Sequence, residues 1–305
     1  MGPERVLLTG ATGFVGRHLA RALVDRGAEV VALVRPGSSR SVPAGVTAVA
    51  VPRSAADLEE AVRAARADAC VHLATHYVAQ HRPDEVEALL QANVIFGARL
   101  AEALAAVGGV PLVDVGTVWQ HVDNAPYRPA NLYAASKQAL ADLLVAYSLR
   151  SGLPVVRVTL TDTYGPDDDR PRLVPLLVEA ASSGAPVYLA SGTQLVDLVH
   201  IDDVVAAFAA VLDRLAEEPA WPEGDGSSRV GVSSGAPITI RQLVAAVERV
   251  SGHRLAVEWG ARPDRDVEMR EPWDPGPPPA GWQPHVDLVE GLADLVARNP
   301  DRAGR

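Results

Sequence analysis

The stretch RVLLTGATGFVGRHLARAL, Arg5 to Leu23, decides the fold. A short apolar run ends at Gly10, a turn carries Gly10, Gly13 and Gly16, and leucine and alanine then recur at the three-to-four spacing of a helix. A second apolar run, EVVALV (Glu29 to Val34), follows. A glycine triplet between a buried strand and a helix, with another strand after it, is the setting that a dinucleotide pyrophosphate needs. Without side chains, backbone N–H groups and the positive end of the helix come close to the phosphates. Gly10, Thr12, Gly13, Phe14, Val15 and Gly16 are therefore expected to hold such a cofactor.

The same alternation continues outward through DLEEAVRAA, ACVHLAT, ANVIFGARLAEALAAVG, PLVDVG, LYAASKQALADLLVAYSLRSG and PVVRVTL. Strands that are apolar throughout and separated by helices give a parallel sheet covered on both faces. The expected fold is α/β, a doubly wound parallel sheet (Rossmann) with a smaller C-terminal α/β substrate-binding part. The rhythm weakens after Tyr164, which puts the Rossmann domain at residues 1–163, with 195–218 returning to it, and the smaller part at 164–194 and 219–305. EPAWPEGDGSS (218–228) reads as an exposed connection, and the proline- and glycine-rich segment from Val267 to Pro284 as an ordered surface loop.

With 305 residues, 48% of them hydrophobic, the chain can bury a sizeable core. Its net charge of −10 leaves no basic stripe for phosphate neutralisation, which excludes a nucleic-acid partner from the reading. Cys70 is the sole cysteine, so neither an internal disulfide nor a cysteine metal site is available. The acidic run Asp167 to Asp169 suits no metal set and reads as a solvated loop, and Asp202 and Asp203 read as helix caps. The apolar runs fall short of the roughly 18 residues of a membrane span, and no leader opens the chain. The expectation is a cytoplasmic protein acting on a small molecule, with no membrane partner.

An NAD site normally ends its second strand on a carboxylate that accepts from the ribose 2′-hydroxyl. Here the strand ends at Val34 and Arg35 follows, so a 2′-phosphate is favoured, with Arg17, Ser38 or Arg40 as helpers. NADP (as NADPH) is the expected cofactor and NAD the alternative. Leu73, Ala74 and Thr75 should border it at the end of ACVHLAT.

Lys137 is the only lysine; every other basic residue is arginine. It stands four residues after Tyr133, hence on the same helical face one turn on. A tyrosine hydroxyl titrates near pH 10, and a compact ammonium beside the cofactor ribose stabilises its phenolate, which lets the tyrosine exchange a proton with a ketone or alcohol at neutral pH. Arginine's planar fork does not replace that point charge. Tyr133 and Lys137 are thus catalytic candidates that also touch the cofactor.

TGATGFVG, VHLAT, YAASK, TYGPDDD and QLVDLVHIDDVV stand in the order and spacing of the extended short-chain dehydrogenase/reductases, and the chain resembles that family end to end. HLATHY, YGPDDDRPRLVP and LASGTQLVDLVHIDD most resemble its nucleotide-sugar 4-ketoreductases of the CDP-paratose and CDP-abequose synthase type. The resemblance implies NADPH-dependent reduction of a nucleotide-linked 4-keto-6-deoxyhexose with Tyr133 as proton donor, and a homodimer packed through the helices of Asn93 and Lys137. An NAD-dependent epimerase and a reductase of a non-nucleotide ketone are the alternatives. It implies a Ser or Thr as a third catalytic member, but Val115 stands there; Thr117, two residues on, takes the role if the loop is shifted. Asn93 matches an asparagine that orders the active-site backbone. His76, Tyr77, Thr117, Asp162, Arg172 and Arg262 are the substrate candidates. Two of the family's diphosphate-binding residues are changed: Asp162 replaces an asparagine, adding a carboxylate, and Val196 replaces an arginine.

Overall fold

The computed structural model describes residues 2–38, 40–218, 221 and 228–299. Its elements run β1 (Arg5–Thr9), α1 (Phe14–Asp25), β2 (Glu29–Val34), β3 (Val46–Ala50), α2 (Ala55–Ala65), β4 (Ala69–His72), α3 (Val86–Leu90), α4 (Phe96–Ala106), β5 (Leu112–Thr117), α5 (Leu132–Ser151) and β6 (Val155–Leu160). There follow β7 (Asp162–Tyr164), α6 (Leu173–Ser183), β8 (Val187–Leu189), β9 (Leu195–Val196), β10 (Leu198–His200), α7 (Ile201–Glu217), β11 (Arg229–Val232), β12 (Ile238–Thr239), α8 (Ile240–Ser251), β13 (Val257–Trp259) and α9 (Leu288–Arg298).

Seven strands form one parallel sheet in the order β11-β6-β5-β4-β1-β2-β3. Both faces are covered, as the unbroken apolar strands require. Val6, Leu8, Val113 and Val156 pack with Leu19, Leu23, Phe208 and Val211 from α1 and α7. On the other face Leu7, Cys70, Leu112 and Val155 pack with Leu58, Leu100, Leu104, Leu140 and Leu144 from α2, α4 and α5. This is the doubly wound sheet read from the sequence. Strand β11, expected in the smaller part, instead forms an edge of the central sheet, because it pairs in register with β6 from Arg157 to Leu160.

The smaller part uses three two-stranded pairs, β7 with β10, β8 with β13 and β9 with β12. A third core joins Tyr164, Leu177, Leu243, Val247 and Leu292 from β7, α6, α8 and α9. The segment 267–284 carries no helix or strand, and the backbone N–H groups of Arg270 and Asp274 donate to Asp123 and Asn124. Most of the connection 218–228 lies outside the described residues. Asp202 and Asp203 do not cap α7: His200 does, accepting from the Asp202 N–H at 3.3 Å. Asp203 instead accepts from the N–H groups of His285 and Val286, each at 3.0 Å, and anchors the chain before α9.

By length and composition alone, the helical run Pro83–Ala106 reaches what a membrane span needs, with a mean hydropathy of 1.2. Leu89, Leu100 and Leu104 within it are buried, whereas Leu90 and Ile95 are exposed.

Candidate functional site

A large cleft opens over the C-terminal ends of β1, β2, β4, β5 and β6, where open α/β sheets place ligands. Its volume of 1520 Å³ exceeds the roughly 300–1,000 Å³ of one small-molecule site, so a dinucleotide and a second ligand fit together. Gly10, Thr12, Gly13, Phe14, Val15, Gly16, Arg35, Leu73, Ala74, Thr75 and Tyr133 all line it, as do His76, Tyr77, Thr117, Asp162, Arg172 and Arg262. Lys137 lies behind this wall and is only 3% exposed.

The glycine turn is shaped by sterics. Gly10 has a φ of +74°, and a Cβ there would stand 2.6 Å from the Ala74 nitrogen; at Gly16 it would stand 2.0 Å from the Gly10 carbonyl oxygen. Gly13 meets only that carbonyl oxygen, at 3.2 Å, which leaves its cleft side open for a phosphate at the start of α1. The turn therefore fits a dinucleotide.

Helix α5 starts at Asn131, whose side chain accepts from the Ala134 N–H at 2.9 Å. This cap fixes Tyr133 in the first turn. Asn93 sits in a π-helical turn (Gln91–Ile95) between α3 and α4, the kind of irregularity that turns a side chain inward at functional sites. It donates to the His76 carbonyl and to Ser136 Oγ, both at 3.0 Å, and accepts from the His76 N–H at 2.7 Å and the Thr75 hydroxyl at 3.0 Å. Asn93 thus ties the loop after β4 to α5.

The Tyr133 phenol is half-buried in the cleft wall, and desolvation pushes its pKa up to about 12. The Arg172 charge opposes that rise most, followed by the Thr75 hydroxyl beside the phenol. Arg172 is the cation that acts on the phenol in this structure, while the charges that act on the buried Lys137 are those of Asp114 and Arg157. The Arg172 guanidinium lies 3.7 Å over the Tyr77 ring, and Tyr77 packs edge-on against Tyr133 at 4.9 Å. Sequence reasoning placed Thr75 at the cofactor and did not see its bond to Asn93, which rests on contacts between distant elements.

Thr117 ends β5 on the cleft side, and its Oγ1 accepts from the Trp119 N–H at 3.4 Å. Val115 lines the same wall two residues back. Asp162 accepts from Trp119 Nε1 at 3.4 Å. Burial raises its pKa and Arg172 works against that rise, so the carboxyl is held closer to neutral than a solvated one. The electrostatic penalty expected of an added carboxylate is reduced accordingly. Val196, Arg262 and Arg265 line the far end.

Arg35 is exposed at the end of β2 and lines the cleft. Two of its expected helpers are engaged elsewhere: Arg40 pairs with Asp169, and Arg17 with Asp169 and the Asp167 carbonyl. In the acidic run Asp167 and Asp169 are exposed, as a solvated loop requires, though paired with arginines, and Asp168 is not. The Asp168 side chain is buried against Arg170 at 2.6 Å, and Arg170 lies 4.2 Å over the Phe14 ring. No cluster of metal-ligating side chains exists among the described residues.

Residues 6–221 match the model of the NAD dependent epimerase/dehydratase family. The chain belongs to this family. Among curated proteins it is 24% identical to CDP-abequose synthase of Salmonella typhimurium, over 97% of this chain and 98% of that one. It is 27% identical to UDP-glucose 4-epimerase of Mycolicibacterium smegmatis, over 96% and 97%. The solved UDP-glucose 4-epimerase of Thermus thermophilus, in complex with NAD, superposes with a TM-score of 0.80 at 28% identity, covering 96% of this chain and 98% of that one. Family membership brings an enzyme of oxidoreductase or epimerase type.

Proposed function

We propose that this protein reduces the keto group of a nucleotide-linked 4-keto-6-deoxyhexose, with NADPH as cofactor. The observation that carries the reading is the Tyr133 phenol in the wall of the cleft, one helical turn before Lys137 and packed edge-on against Tyr77. Desolvation favours its protonated form, the form in which it can give a proton to a ketone oxygen. The likeness to CDP-abequose synthase along nearly the whole chain supports the substrate class.

When bound, NADPH supplies the hydride. Tyr133 gives its proton to the carbonyl oxygen as the alcohol forms. Tyr77 fixes the phenol ring by an edge contact. Lys137 orients the ribose and helps return the proton. Thr117 takes the place of the third catalytic hydroxyl, with Val115 in the position that usually carries it. Arg172 and Arg262 draw the diphosphate, while Asp162, with Arg172 beside it, stands where the asparagine would. Arg35 favours the 2′-phosphate. Residues 1–161 and helix α7, with strand β11, form the cofactor-binding unit; the rest, including β7, β9 and β10, closes the substrate side. The exposed apolar residues Ile95, on the turn before α4, and Leu143 and Leu149, on α5, suit pairing of two copies.

NADPH and NADH consumption with CDP- and dTDP-linked 4-keto-6-deoxyglucose tests the reading. Consumption of NADPH with one sugar nucleotide, abolished by Tyr133→Phe, supports it; cofactor binding with no turnover of either sinks it. The second reading, an epimerase that keeps NAD bound, is favoured by the likeness to UDP-glucose 4-epimerases; interconversion of UDP-glucose and UDP-galactose without net cofactor use would establish it.

A further inference from the structure

Beneath Tyr133 and Lys137 a row of polar side chains crosses four adjacent strands. Strand register sets Thr9 beside His72, His72 beside Asp114 and Asp114 beside Arg157. Two residues back on the same strands, Leu7, Cys70, Leu112 and Val155 stand in one core cluster with Leu140 and Leu144 of α5. Since strand side chains alternate between faces, the polar row faces α5 as well. Thr9 Oγ1 accepts from the Ala74 N–H at 3.0 Å and bonds His72 Nδ1 at 2.8 Å. Asp114 Oδ2 accepts from Arg157 at 3.1 Å, and Asp114 is 0% exposed. His72 Nε2, Asp114 Oδ1 and Arg157 Nε have no hydrogen-bond partner among the described residues.

A buried carboxylate with one free oxygen is costly unless a cation stands near it. Arg157 is one such cation, and Lys137, itself buried on α5 three residues before Leu140, is the second: their charges hold the Asp114 carboxyl below the usual range against the effect of burial. In return, burial lowers the Lys137 pKa, Asp114 opposes the fall and Arg157 adds to it. His72, pushed down to about 4 by burial and by Lys137, is neutral at pH 7 and adds no charge. The groups that face the Lys137 ammonium are thus Asp114 from β5, Arg157 from β6 and His72 from β4.

We propose that Asp114 is a positioning residue of the reaction, whose buried carboxylate, steadied by Arg157, is the counter-charge that keeps the buried Lys137 an ammonium beneath the cofactor site. The proposal rests on the reading of Lys137 as a partner of Tyr133, but its charge assignment stands apart from any substrate.

The sole lysine makes the test direct. In the full chain grown with lysine carrying carbon-13 at Cε, Lys137 gives one side-chain resonance, whose pH titration is followed in wild type, Asp114→Asn and Arg157→Gln. Asp114→Asn should move the titration to lower pH by about one unit or more, the size of the effect of a nearby opposite charge. Arg157→Gln should move it to higher pH. An unmoved or upward titration in Asp114→Asn overturns the proposal, as does a shift in the same direction in both variants, which would mean only that water had entered. If Asp114→Asn does not fold, Arg157→Gln decides alone: an upward shift supports the proposal, and no shift or a downward one overturns it. In turnover, Asp114→Asn should bring the alkaline fall of kcat to lower pH with the KM for the sugar unchanged; a uniform loss at every pH overturns the positioning role. Opposite shifts in the resonance with no turnover of any keto sugar by the wild type would leave the charge assignment standing and refute the reductase reading.

Discussion

Tyr133 is one phenol with two influences on it, burial that raises its pKa and the Arg172 charge that lowers it. Removing the hydroxyl in Tyr133→Phe should cost about 10²–10⁴ in kcat, with NADPH binding by fluorescence unchanged. Arg172→Gln removes the opposing charge, so the phenol should lose its proton at higher pH. The tyrosinate absorbance that Tyr133→Phe removes by difference should then appear at higher pH; an appearance at lower pH would show that Arg172 does not act on Tyr133. His72 makes a second pH-dependent contribution. Its native pKa, about 4, lies below the unfolded value of about 6.5, so the unfolded chain binds a proton that the native one refuses. The stability it contributes is full above about pH 6.5 and is lost as pH falls towards 4, on the order of 3 kcal/mol. Urea unfolding across that window should show the loss, and His72→Gln should flatten it.

Elements carry the site to its place. The N-cap of α5 holds Tyr133 in the first turn, and Asn131→Ala should cost about 1 kcal/mol in urea unfolding and lower kcat. The strand–turn–helix at Arg5 to Leu23 was legible because each glycine answers a local steric demand and the periodicity changes within a few residues. The pair Tyr133–Lys137 was legible because helical spacing fixes their face. Strand β3 was not read from the sequence: its run VTAVA is short and built of small side chains, and it lies as a largely exposed edge. The two-residue strands β9 and β12 are defined only by each other. Arg229–Val232 reads alike in either part, and its pairing with β6 alone decides. The row Thr9–His72–Asp114–Arg157 comes from strands far apart in sequence, so only their register reveals it. The ion pairs of the acidic run were not legible because its arginine partners lie in α1, in the loop after β2 and next to it in sequence.

At the scale of the molecule, the loop from Gly165 to Arg172 joins the two sides of the cleft: Arg170 covers Phe14 from the glycine turn, and Arg172 reaches Tyr77. Cofactor and substrate binding should therefore not be independent. The exposed apolar residues of α5 make a second statement about the whole particle, since Leu149 is 65% exposed on a long helix. Leu143→Arg with Leu149→Arg should convert a dimer to a monomer by light scattering, and a wild type already monomeric would refute the pairing. The central claim is net hydride transfer to a keto sugar, and isotope transfer tests it most directly. With NADPH carrying deuterium at the transferred position, and CDP-4-keto-6-deoxyglucose, mass spectrometry should find one deuterium in the product sugar for each NADPH oxidised, and none with Tyr133→Phe. Unlabelled product, or conversion of UDP-glucose with no net oxidation of the cofactor, would contradict the account.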